Sequence, residues 1–71
     1  MQWEELCEKA KTLGYNLFYY FEDDDNMTEV YWLENEDLSF YENGQVEFSN
    51  GGIISKDRTP DQMWQIMRAL R

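Results

Sequence analysis

The chain has 71 residues, 42% of them apolar and 17% aromatic, and carries 15 acidic against 6 basic side chains for a net charge of −9. A chain this short has room for one domain, 1–71, and buries only roughly 60% of its unfolded surface, so the core is shallow. The charge disfavours nucleic-acid phosphates and anionic membrane as partners and suits a basic protein surface, while the aromatic content argues against intrinsic disorder. Cys7 is the single cysteine and has no internal disulfide partner, which leaves packing or association to stabilise the fold. The first residues, Met1 to Glu5, lack the basic flank and apolar run of a signal peptide, and no stretch reaches membrane-spanning length. A cytoplasmic protein is expected.

From Gln2 to Leu13 the residues Trp3, Leu6, Cys7, Ala10 and Leu13 recur at helical spacing, and Gly14 supplies a C-terminal stop. Tyr15 to Glu22 is rich in aromatic residues and reads as a first strand. After the acidic loop Asp23 to Met27, Thr28 to Leu33 reads as a second strand, with Val30 and Trp32 on one face and Tyr31 and Leu33 on the other. Glu34 to Asp37 makes a tight connection. Leu38 and Phe40 then alternate with Ser39 and Tyr41, and Asn43-Gly44 predicts a two-residue hairpin turn. Val46 and Phe48 point inward from a fourth strand that ends at Asn50, Gly51 and Gly52. Ile53-Ile54 either extends the sheet or seals its edge. Thr59, Pro60 and Gln62 form a helix start with a capping box, and Met63, Ile66, Met67 and Leu70 line a helix from Pro60 nearly to Arg71, with Trp64 at the margin.

These elements predict an α+β fold: an N-terminal helix, a three- to four-stranded antiparallel meander and a C-terminal helix, with both helices on one sheet face. Val30, Trp32, Leu38, Phe40, Val46 and Phe48 are expected to face the helices, and Leu17, Tyr19 and Phe21 to do so from the first strand. Tyr31, Leu33 and Tyr41 then stand on the uncovered face, with Tyr20 or Phe18 beside them.

Charge is unevenly placed. No Lys or Arg lies between Leu13 and Lys56, an interval that contains ten of the acidic residues. Such an excess can serve solubility alone. It can also form a recognition surface for a basic groove, and exposed tyrosines inside an acidic rim are an interface pattern. The candidate protein-binding residues are therefore Tyr31, Tyr41, Leu33, Glu29, Glu42, Asp23, Asp24 and Asp25.

Two other chemistries fit poorly. Asp23, Asp25, Glu29 and Glu34 match four positions of a calcium loop, but Met27, Thr28 and Tyr31 occupy others that need oxygen ligands or glycine. Histidine is absent, Cys7 sits on an inner helical stripe with no base to activate it, and a shallow core encloses little volume. Neither an enzyme nor a cofactor is expected. The expectation is a small acidic protein-binding module, an inhibitor or adaptor that engages a basic surface or groove. The alternative is a self-associating structural subunit, a homodimer or larger, and because acidic faces repel one another it would have to join through an apolar patch or a helix surface.

Overall fold

The computed structural model describes residues 1–21 and 28–70. Its elements are α1 (Trp3–Lys11), β1 (Asn16–Phe21), β2 (Glu29–Glu34), β3 (Leu38–Tyr41), β4 (Val46–Phe48), β5 (Ile53–Ser55) and α2 (Pro60–Ala69). The α+β order read from the sequence holds. The strands form one antiparallel meander in sequence order. There are five rather than three or four, because Ile53–Ser55 pairs with β4, across an irregularity at which the ladder skips Ile54.

Local chemistry explains the element ends. The N–H of Tyr15 reaches back to the Ala10 carbonyl at 3.1 Å while Gly14 adopts φ 88°, which closes α1 where the glycine predicted. At the start of α2 the capping box forms in both directions: Gln62 N donates to Thr59 Oγ1 at 3.2 Å and Thr59 N to Gln62 Oε1 at 2.9 Å. Pro60 takes the first helical position.

Two hairpins share one device. In Tyr41-Glu42-Asn43-Gly44-Gln45 the N–H of Gly44 bonds to the Tyr41 carbonyl at 3.0 Å, and Asn43 Oδ1 accepts from Gln45 N at 3.0 Å. In Phe48-Ser49-Asn50-Gly51-Gly52 the matching bonds are Gly51 to Phe48 at 2.8 Å and Gly52 to Asn50 Oδ1 at 3.2 Å. Gly44 and Gly51 have φ of 103° and 101°, whereas Asn43 does not enter the left-handed region. Each is therefore a three-residue loop ending in a left-handed glycine, and the two-residue turn expected at Asn43-Gly44 is corrected accordingly.

The core brings both helices onto one face of the sheet. Trp3, Leu6, Cys7 and Ala10 from α1 and Met63 and Met67 from α2 pack with Tyr15, Leu33, Leu38, Phe40 and Val46. Tyr15 meets Phe40 edge to face at 5.5 Å, and Lys9 Nζ lies 5.5 Å from the Trp64 ring centre, joining the exposed margins of the helices.

This arrangement corrects the reading of β2. Leu33 is 0% exposed and Tyr31 packs at the margin of the core, so the odd-numbered residues of β2 face the helices, while Val30 and Trp32 face away. The cause is the β2–β3 turn. Asn35 pairs with Leu38 through a backbone bond of 3.0 Å, and Asn35 Oδ1 accepts from Asp37 N at 2.8 Å and Leu38 N at 2.7 Å. With only Glu36 and Asp37 between the paired residues, Leu33 falls opposite Phe40 and Trp32 opposite Tyr41. The inward reading of Leu38, Phe40 and Val46 holds. Phe48 shares their face but is 49% exposed beyond the helix layer.

Candidate protein-binding face

The open face is organised by cross-strand register into two rows. Phe18 of β1 lies opposite Trp32 of β2, which lies opposite Tyr41 of β3. The rings stack, with centres 5.6 Å apart and planes at 24° for Phe18 and Trp32, and 5.8 Å and 22° for Trp32 and Tyr41. Tyr20 meets Trp32 edge-on at 5.6 Å. Trp32 is thus the centre of a four-ring platform. Pairs of this geometry contribute about 0.5–1.5 kcal/mol beyond area burial, so the platform is held in place before any partner arrives.

The second row is polar. Asn16, Glu34, Ser39 and Glu47 follow one another across β1 to β4, and Ile53 of β5 completes the row. Trp32 Nε1 donates to Glu34 Oε1 at 3.0 Å, and Ser39 Oγ donates to the same oxygen at 3.1 Å. Gln45 Nε2 donates to Glu47 Oε1. Both carboxylates are half-buried and oriented by neighbours. Burial raises the Tyr41 phenol above its ordinary value, and the charge and hydrogen bond of Glu47 push it the same way.

The sequence-derived candidates do not form one cluster. Tyr41 is on the open face. Tyr31, Glu29 and Glu42 meet on the helix side: the Tyr31 hydroxyl donates to Glu29, a bond that raises its phenol first and foremost, and Glu42 N donates to the Tyr31 carbonyl at 2.9 Å. Tyr31 also stacks on Tyr19 at 5.5 Å. Leu33 is in the core and presents nothing to a partner. Asp23, Asp24 and Asp25 lie outside the described residues. Phe18 and Tyr20 stand on the open face, where the sequence allowed either. The residues missed by sequence reasoning are Trp32, Glu34 and Glu47, and the readable signal was Asn35, whose side chain builds the turn and with it the register.

Two grooves flank the helix layer. One, of about 470 Å³, is lined by Leu13, Tyr15, Leu38, Phe48, Ile54, Ile66 and Leu70 among others. The other, of about 440 Å³, lies between α1 and the sheet, with Trp3, Cys7, Leu17, Tyr31 and Glu42 in its walls. Burial, reinforced by Glu4 and Glu42, pushes the Cys7 thiol up, which keeps it protonated and unreactive.

Among the described residues no group of three His, Cys, Asp or Glu side chains is placed to hold a metal ion, and no helix is long and apolar enough to cross a membrane. Comparison with protein-family models, curated proteins and solved structures found no match for the chain.

Proposed function

We propose that the protein is a small acidic binding module that engages a basic surface or groove of another protein through its helix-free sheet face, as an inhibitor or adaptor. The observation that carries this reading is the stacked platform of Phe18, Trp32 and Tyr41 beside the oriented carboxylates of Glu34 and Glu47. An arginine or lysine laid over Trp32 or Tyr41 gains a cation–π contact of about 0.5–2 kcal/mol, and arginine also stacks flat on the ring and donates to a carboxylate beside it. The platform alone would also suit nucleobases, but the charge of −9 opposes a phosphate backbone. Glu29, Glu42 and the Asp23 to Asp25 segment then act through the field that steers a basic partner, not through the contact itself. A buried, unpaired Cys7 suits the reducing cytoplasm as the place of action.

An oligo-arginine peptide, titrated calorimetrically at low and moderate salt, is a direct probe. Tyr41→Leu, which keeps bulk and removes the aromatic face, should weaken binding several-fold, and Tyr31→Leu on the opposite face should leave it within error of the wild type. Equal affinity of both variants and the wild type would remove the open face from the binding site.

A further inference from the structure

The two edges of the sheet are protected to different degrees. β5 has three residues, an irregular pairing with β4, and the charged run Lys56, Asp57 and Arg58 directly after it, three devices that discourage another strand from adding there. β1 lacks the first two, although a charged run, Glu22 to Asp25, follows it in the sequence as Lys56 to Arg58 follows β5. Its six residues, Asn16 to Phe21, include no charge, proline or glycine, all are exposed, and their pairing with β2 is regular. Leu17, Phe18, Tyr19, Tyr20 and Phe21 are 42–60% exposed. Alternate residues of such a strand turn N–H and C=O outward, and among the described residues no backbone group outside the sheet ladders bonds to them.

We infer that a second copy of this chain adds antiparallel to β1, centred on Tyr19, to give a two-fold dimer with one sheet running through both copies. In this register Tyr19 faces Tyr19 of the second copy, Phe18 faces its Tyr20, and Leu17 faces its Phe21, so each apolar side chain meets another on the same face of the sheet. The composition of the strand argues for self-pairing: its six residues are uncharged and mostly apolar, and a second β1 supplies an uncharged, apolar strand to match them. Repulsion between two bodies of net charge −9 includes the four carboxylates, Glu22 to Asp25, that follow β1 in each copy, and it is what salt has to screen. The area is adequate for a reversible dimer. Half-exposed side chains of this size expose about 500 Å² per copy, of which an added strand covers a part, so the pairing belongs to the weak, reversible class. Pairing on the edge leaves the Trp32 platform free and extends it, through Phe18 and Tyr20, toward its symmetry mate.

Sedimentation equilibrium of the full chain, from low micromolar to near-millimolar concentration, tests the inference. The expected result is a monomer–dimer equilibrium that tightens as salt screens the mutual repulsion, the opposite salt dependence to capture of a basic probe. Tyr19→Lys should abolish the dimer while retaining the circular dichroism of the fold, and Ile53→Lys, the same added charge at the other edge, should leave it intact. In a Cys7→Ala background, Tyr19→Cys should form a disulfide-linked dimer on mild oxidation and Phe18→Cys should not, because only residue 19 faces its own copy. A monomer at every concentration and salt, growth beyond a dimer, loss of the dimer in Ile53→Lys alone, or cross-linking through position 18 in place of 19 would overturn the assignment. None of these readouts depends on the open face binding anything.

Discussion

The two faces of this sheet use the same residue types to opposite ends. Toward the helices, Leu33, Phe40 and Val46 are fully buried, and Phe40 meets Tyr15 edge-on inside the core. Away from them, Trp32 and Tyr41 are half-buried and Phe18 and Tyr20 nearly half exposed, stacked on one another. The difference comes from cover, not composition. Two helices of nine and ten residues reach across β2, β3 and β4 on one side and leave the other bare, so aromatic area becomes stability on one face and stays available for contact on the other. Charge follows a similar division. The interval from Leu13 to Lys56 holds ten carboxylates and no cation, and the remaining chain has five acidic against six basic residues.

The most severe way to break this contrast is Phe40→Ala. With the side chain fully buried, the loss should be about 3–5 kcal/mol, enough to unfold much of a marginal domain, read as a collapsed thermal transition. Gly44→Ala comes next, because it strikes the hairpin that sets β3 against β4. The residue sits at φ 103°, and a Cβ there would lie 3.0 Å from both Arg58 N and Asp57 Cα. About 2–3 kcal/mol is expected, against about 1 kcal/mol for Gly14→Ala, where the same strain acts with nothing within 4 Å of the new atom. Trp32→Ala should cost only about 1–2 kcal/mol, the worth of its stacking and half-buried area, whereas a Trp32 turned inward would cost as much as Phe40. Chemical denaturation of the two alanine variants side by side therefore reports the orientation of β2. The smallest effect is alkaline. The phenols of Tyr15 and Tyr41 are held above their ordinary value near 10, first by burial, so above about pH 10 the unfolded chain binds fewer protons than the folded one and stability falls as pH rises. Tyr41→Phe should remove part of that decline without changing the transition at neutral pH.

Much of the architecture was legible because local chemistry agreed with it. Gly14, the Thr59-Pro60-Gln62 box and the stripes of α1 and α2 each specify one outcome, except that Leu70, expected on the α2 stripe, caps the helix and is 63% exposed. Leu38, Phe40 and Val46 alternate cleanly enough to fix their face. β2 does not. In Glu29-Val30-Tyr31-Trp32-Leu33-Glu34 apolar residues occupy both faces, so alternation cannot choose between them, and the wrong choice moves every side chain to the opposite side. The turn settles it, since Asn35 accepts two backbone N–H groups and permits only Glu36 and Asp37 in the loop. The same inversion scattered the candidate site: Leu33 went to the core, Tyr31 to the helix side, and Trp32, Glu34 and Glu47 formed the face that Tyr41 shares. β5 was ambiguous because three residues carry too little pattern to distinguish a strand from a loop.

The central claim, that the open face and not the bulk charge binds a basic partner, is tested most directly by comparing two charge-matched variants. Glu34→Gln with Glu47→Gln removes two carboxylates from the platform, and Glu4→Gln with Glu8→Gln removes two from the exposed side of α1. Titrated with oligo-arginine at about 150 mM salt, where fields beyond about 8 Å are screened, the first pair should lose about tenfold or more in affinity, on the scale of about 1.4 kcal/mol, and the second less than about twofold. Equal losses in the two pairs would contradict the account and assign the binding to the bulk charge of −9.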